Sequence, residues 1–292
     1  MKIRTLYKLV ALALTVITLN IPTAKAITYA EFPGDRPFEI QVPTNYDSTT
    51  PLPLVIGISG YDQSSRVFNK IWGFPKFIDD KDFLYVSPDG LKDKWGKQFW
   101  NGAGCCDSGK KKTDDDAYFL HIVTLVKQQY AVDPQRIYLI GHSNGGFMVN
   151  ELACRHSTLF AAVVNLAGGN YSNLNLCKPT SPINYLEVWG SKDETYSGNH
   201  AFGKKIASAK DLMNFWVKKN GCSTNPVLDP AKYSYDLDVS DSNEIKKTFP
   251  NCKNNVATQN WELEGSKHLP TPSMQFTSDL LDFLLSHAKA NY

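Results

Sequence analysis

Residues 137–146 read Ile-Tyr-Leu-Ile-Gly-His-Ser-Asn-Gly-Gly, and no other stretch restricts the fold so tightly. A short apolar run at 137–140 enters a G-x-S-x-G turn, and a helical pattern follows from 144 to 153. Strand, sharp turn and helix in that order form the setting of a nucleophile elbow. Such a turn forces Ser143 into a strained backbone, and a Cβ at Gly141 or Gly145 would meet the neighbouring strand or helix. Ser143 is therefore expected at the carboxyl end of its strand, beside a helix N-terminus. There the positive end of the helix dipole and the N–H of Asn144 favour a developing oxyanion.

The rest of the chain alternates in period. Strand-like runs lie at 38–42, 52–58, 83–87, 161–165, 185–188 and 256–263, and helical spacing at 114–130, 208–220 and 274–288. Asp133-Pro134 is expected to break the chain before the elbow strand. Strands alternating with helices predict an α/β fold, a mostly parallel central sheet with helices on both faces. Ligands of such sheets sit at the carboxyl ends of the strands, where the elbow places Ser143.

The first 26 residues read as an export leader: Lys2, Arg4 and Lys8, an apolar run at 9–19, then Ala24-Lys25-Ala26. With no cysteine before Cys105, lipidation there is excluded, and a released, secreted or periplasmic protein is expected. The leader holds four of the 31 basic residues and none of the 29 acidic ones, so 27 basic against 29 acidic remain, a net −2. That balance gives no reason to expect nucleic acid or an anionic membrane as partner. No later segment is long and apolar enough for a membrane span. Residues 27–292 carry no linker, repeat or low-complexity tract and are expected to form one domain, and a monomer is expected.

Six cysteines in an oxidising compartment are expected to pair, in any of fifteen ways. Position suggests Cys154 with Cys177, and Cys222 with Cys252 around a polar excursion. Cys105 and Cys106 would then form a vicinal bridge or stay reduced. No C-x-x-C pair occurs and the histidines are scattered, so no metal is expected.

A serine hydroxyl needs a base, and the base needs an acid to fix its tautomer. In this fold the chain order is Ser, Asp or Glu, then His. His121 and His142 precede the serine, His156 and His200 leave too little chain for an acid strand, and His287 falls in the terminal helix. His268 remains, in a turn after the last strand. The acid is expected after the strand at 185–188, where Asp193 leads and Glu194 is its rival. Asn144 supplies one oxyanion N–H, and Tyr61, after Ser59-Gly60, is the candidate for the second.

With these pieces located, the chain resembles the secreted α/β-hydrolase esterases of the polyhydroxybutyrate depolymerase and feruloyl esterase family. The matching residues are Trp100-Asn101-Gly102-Ala103-Gly104-Cys105-Cys106, Asp115-Asp116, Val132-Asp133-Pro134, the elbow, Leu152-Ala153-Cys154, Trp189-Gly190-Ser191-Lys192-Asp193, and Asn220-Gly221-Cys222 before Cys252. The likeness spans most of residues 36–285. It implies an α/β-hydrolase fold, catalytic roles for Ser143, Asp193 and His268, and the pairings 154–177 and 222–252. Three departures touch the substrate side: Ser59-Gly60 replaces His-Gly, Trp189 replaces a histidine, and the base loop is shortened to Lys267-His268-Leu269-Pro270.

The expected activity is hydrolysis of carboxylic esters without a cofactor, on a hydroxyalkanoate polyester or oligoester first and a feruloyl (cinnamoyl) ester as the alternative. A serine peptidase or acyltransferase, or a non-catalytic binding protein, are the other classes weighed. Trp100, Trp189 and Tyr196 are the candidate walls of the substrate pocket, an aromatic lining suiting either kind of ester.

Overall fold

Leu54, Val55 and Ile56 are all fully buried, yet Leu54 and Ile56 join one apolar cluster while Val55 joins another. A strand that is apolar on both sides must be covered on both sides. The computed structural model describes residues 36–103, 105–106, 113–199, 205–240 and 244–289; the expected leader and His200 lie outside them. Along the chain come β1 (Ile40–Gln41), β2 (Leu52–Ile58), α1 (Ser65–Trp72), α2 (Ile78–Lys81), β3 (Leu84–Val86), β4 (Leu91–Lys92) and β5 (Gln98–Phe99). Then follow α3 (Asp115–Gln129), β6 (Val132–His142), α4 (Asn144–Arg155), β7 (Ala162–Leu166), β8 (Asn184–Gly190) and α5 (Ala209–Asn220). The last are β9 (Val227–Leu228), β10 (Ile245–Thr248), β11 (Thr258–Leu263) and α6 (Met274–Leu285).

Strands β3, β2, β6, β7, β8 and β11 lie side by side in that order, all parallel. β1 closes one edge antiparallel to β3, while β10 and β9 extend the other antiparallel. Phe119 of α3, Leu152 of α4 and Trp216 of α5 cover one face; Trp72 of α1, Ile78 of α2 and Leu280 of α6 cover the other. This is the mostly parallel, doubly covered sheet that the alternating periods predict.

The helix ends follow local chemistry. Ser64, Asp114, Ser208 and Ser273 each accept a hydrogen bond from a first-turn N–H of the helix they precede, satisfying a donor the helix itself cannot. Gly73 and Gly221 take left-handed φ values of 69° and 64° at the ends of α1 and α5, the conformation that glycine adopts without a Cβ penalty.

Two expectations are corrected. Asp133-Pro134 does not end the chain before the elbow strand; both lie inside β6. Proline has no N–H to give the ladder, and the pairing of β2 with β6 shifts register there, between Leu52 and Leu54. The polar excursion also contributes β9 and β10. Lys246 of β10 hides the apolar signal, because its ammonium sits 3.6 Å from the Tyr233 ring centroid and 4.1 Å from that of Trp261, so cation–π contact with aromatic faces stands in for aliphatic packing. Disulfides join Cys154 to Cys177, Cys222 to Cys252, and Cys105 to Cys106.

Candidate active site

Ser143 is the N-cap residue of α4, yet its side chain makes no capping bond, and its backbone lies at φ 55°, ψ −118°. The hydroxyl is spared for another partner. Its N–H donates to the Leu166 carbonyl at 2.8 Å, which fixes the turn against β7. The flanking glycines are required by contact: a Cβ on Gly141 would lie 2.5 Å from the Gly145 oxygen, and one on Gly145 only 2.1 Å from the Ile58 oxygen. Both obstacles are backbone atoms, one in the first turn of α4 and one at the end of β2, and cannot swing aside. Gly145→Ala is therefore expected to cost at least about 3 kcal/mol, read as a lower urea midpoint at unchanged m-value.

From Ser143 a hydrogen-bonded chain runs outward. The Ser143 hydroxyl donates to His268 Nε2 at 2.8 Å, and His268 Nδ1–H donates to Asp193 Oδ2 at 2.8 Å. Asp193 Oδ1 accepts from both the N–H and the hydroxyl of Thr195, each at 2.8 Å. Burial raises the pKa of Asp193, but the imidazole and Thr195 outweigh it and hold the carboxyl below its ordinary value. Its rival Glu194 is exposed. The acid and base loops are stitched together: Lys192 N–H donates to Ser266 O at 2.9 Å and Gly265 N–H to Ser191 Oγ at 2.8 Å. They approach so closely that a Cβ on Gly190 would sit 2.3 Å from the Ser266 oxygen.

Asn144 opens α4, so its N–H has no acceptor within the helix. The Asn144 side chain clamps Trp100, accepting its N–H at 2.7 Å and donating to its carbonyl at 2.8 Å. Across from it, a Cβ on Gly60 would reach to 3.4 Å from Ser143 Cβ. The Gly60 N–H donates to Gln63 Oε1 at 3.2 Å, and the next residue of that loop is Tyr61, whose phenol donates to Asp93 at 2.7 Å.

Trp100 does not form a pocket wall. It is fully buried behind the Gly60 loop, with its indole N–H donating to Ser59 O at 3.0 Å. The Arg36 guanidinium lies 4.0 Å over the neighbouring Tyr118 ring and pairs with Asp115. The Trp-Asn motif thus braces the elbow from behind. Trp189 is also buried; its indole N–H donates to Glu187 Oε1 at 2.7 Å, and it lines a small cleft with His142, Gly190 and His268. Tyr196 meets Trp189 edge-on and is partly exposed. Sequence reasoning missed a small buried apolar cluster: Ala103, the Cys105–Cys106 bridge, Phe147 and Ile206, with Tyr61 and Tyr171 against them. Phe147 follows Ser143 by one helical turn, its N–H donating to the Ser143 carbonyl at 3.0 Å, which links this cluster to the start of α4.

His121 is exposed, His156 pairs with Asp116 at 2.8 Å, and His287 caps α6, none of them near Ser143. Glu187 escaped the sequence reading, and His142 entered it only as a histidine that precedes the serine. Burial within β8 pushes the Glu187 carboxyl far above the usual carboxylate range, against the pull of the Trp189 indole N–H. An acidic residue on an otherwise apolar strand was the available signal. Among the described residues, no group of three or more His, Cys, Asp or Glu could hold a metal ion.

Fold and site together define an α/β-hydrolase, with an alcohol, an imidazole and a carboxylate aligned at the carboxyl edge of its sheet. The chain belongs to the prolyl oligopeptidase family, whose family model matches residues 74–228. It is similar to feruloyl esterase D of Neurospora crassa, 23% identical over 248 residues that cover 81% of this chain and 74% of that one. It is similar also to feruloyl esterase C of Emericella nidulans, 24% identical over 229 residues covering 76% and 73%. Acetyl xylan esterase from Aspergillus awamori shares the fold, with a TM-score of 0.58 at 16% identity over 89% of this chain and 97% of that one. The protein is a carboxylic ester hydrolase, and the resemblance to feruloyl esterases seen in its motifs holds.

Proposed function

We propose that this protein is an exported serine esterase acting on cinnamoyl-type esters, with Ser143 as nucleophile, His268 as general base and acid, and Asp193 orienting the imidazole. The observation that carries this reading is the unbroken chain Ser143–His268–Asp193, with 2.8 Å at both links. His268 Nε2 takes the hydroxyl proton as Ser143 Oγ bonds to the ester carbonyl carbon. The N–H groups of Asn144 and Tyr61 hold the oxyanion. The tetrahedral adduct collapses, the alkoxide leaves with the proton from His268, and water repeats both steps to free the acid and restore Ser143. Nucleophile, base and oxyanion donors all come from the chain, so the reaction calls for no cofactor.

The polyester reading placed first from sequence gives way to its alternative, because the relatives are named as feruloyl esterases. The cleft beside His268 is lined by Trp72 and Trp189, and aromatic walls of that kind suit the flat face of a cinnamoyl group better than a flexible hydroxyalkanoate. Removal of residues 1–26, release of a single catalytic domain at 27–292, and a monomeric state in the periplasm or outside the cell belong to the same proposal. Three disulfides support the oxidising compartment.

The expected result is a kcat/KM for methyl ferulate about 10- to 100-fold above that for a 3-hydroxybutyrate trimer. The reverse order would restore the polyester reading. Turnover of a ferulic amide at the rate of its ester would favour a peptidase.

A further inference from the structure

The geometry points to His142 as a positioning residue that holds the His268 loop in register with Ser143. This rests on the reading of Ser143 and His268 as nucleophile and base. Ser191 and Lys192 of the acid loop reach no further along the base loop than Gly265 and Ser266, and Asp193 holds the ring of the base but not its backbone. The His142 Nε2–H reaches further and donates to the carbonyl oxygen of His268 at 2.9 Å. One residue thus lies next to the nucleophile in the chain and is bonded to the base across the fold. Elbow and base loop come from segments more than a hundred residues apart, and this bond ties them at the reacting end.

The surroundings of His142 make the tie rigid. Its ring is 3% exposed, 5.4 Å between centroids from Trp72 and 5.2 Å from His268. A Cβ on Gly60 would come within 3.4 Å of His142 Nδ1, so the ring fills the space between the oxyanion loop and the base loop. Nε2 must carry the proton, because a carbonyl oxygen only accepts; Nδ1 is then bare, and it has no partner. Burial, with the nearby His268 imidazole adding to it, pushes the His142 pKa down to about 3. The ring therefore stays a neutral single donor through the range in which esterases work, and puts no second positive charge beside the imidazolium formed in each half-reaction.

Three variants measured on methyl ferulate test this. His142→Phe keeps a flat ring in the slot but has no N–H; His142→Gln keeps an N–H donor at about the same reach; His142→Met matches Gln in length without the donor. For His142→Phe a loss of about 10- to 100-fold in kcat is expected with KM within threefold, together with loss of the downfield proton resonance of the His268–Asp193 hydrogen bond. His142→Gln should regain most of kcat and that resonance. A fully active His142→Phe, with the resonance intact, overturns the proposal. Should His142→Phe fail to fold, the Gln and Met pair decides: equal kcat overturns, and a deficit in Met alone supports. A fluorophosphonate probe run on the wild type separates the two layers of argument. Labelling at Ser143 with no effect of His142 defeats the positioning role alone, whereas no labelling, with Ser143→Ala still turning over, defeats the nucleophile and this inference together.

Discussion

Ser143→Ala is expected to lower kcat by about 10⁵- to 10⁶-fold and to abolish fluorophosphonate labelling, while the thermal midpoint stays within a few degrees of wild type. The activity loss follows from the geometry: His268 Nε2 has one hydroxyl in reach, at 2.8 Å, and removing it leaves water as the only nucleophile. Stability is spared because the hydroxyl caps no helix N–H. Ser143→Gly sharpens the prediction. Glycine ordinarily costs about 1 kcal/mol through the freedom it adds to the unfolded chain. Here the native backbone sits at φ 55°, ψ −118°, where a residue with a Cβ carries strain of about 1–3 kcal/mol. Relief should match or exceed the cost, so the Gly variant should melt no lower than the Ala variant, though equally inactive. A Gly variant melting well below Ala would mean that the elbow is not strained; wild-type kcat in either would remove Ser143 from the nucleophile role.

What could be read from the sequence was whatever short-range chemistry encodes. The elbow, the helix at 208–220 and the apolar strand at 52–58 each depend on a few neighbouring residues, and all appear as expected. Ser143, Asp193 and His268 could be placed because chain order in this fold leaves few alternatives. Trp100 shows where such reading stops. Its aromatic character suited a pocket, but burial is decided by Asn144, Ser59 and Tyr118, which lie far off in the chain. β10 was hidden because a lysine among aromatic rings has no hydrophobic period. The bond from His142 to His268 was likewise invisible, since it spans 126 positions and no local pattern marks it.

Asp193→Asn should reduce kcat by about 10⁴-fold with little change in KM, by reversing the tautomer of the base. Thr195 aims two donors, its N–H and its hydroxyl, at Asp193 Oδ1. In the asparagine variant only the amide oxygen can accept both, so the NH₂ must turn towards His268. His268 Nδ1 then has to accept rather than donate, its proton moves to Nε2, and an N–H points at the serine hydroxyl whose proton it should take. Stability gives an independent check. The folded pKa of Asp193 lies below its ordinary value, so the unfolded chain takes up this proton first as pH falls. Its stabilising contribution is present above about pH 3.9 and is lost as pH drops through the folded value; Asp193→Asn should lose that part of the acid sensitivity. His142 adds a second part, which the variant keeps. Its pKa is 6.5 when free and about 3 when buried, so the unfolded chain binds the extra proton between those values and stability declines across that window as pH falls. Urea titrations from pH 7 to pH 3 should therefore show Asp193→Asn parallel to wild type down to about pH 4.5 and flatter below it, and a divergence that begins near neutrality would break the assignment of the carboxylate to this role.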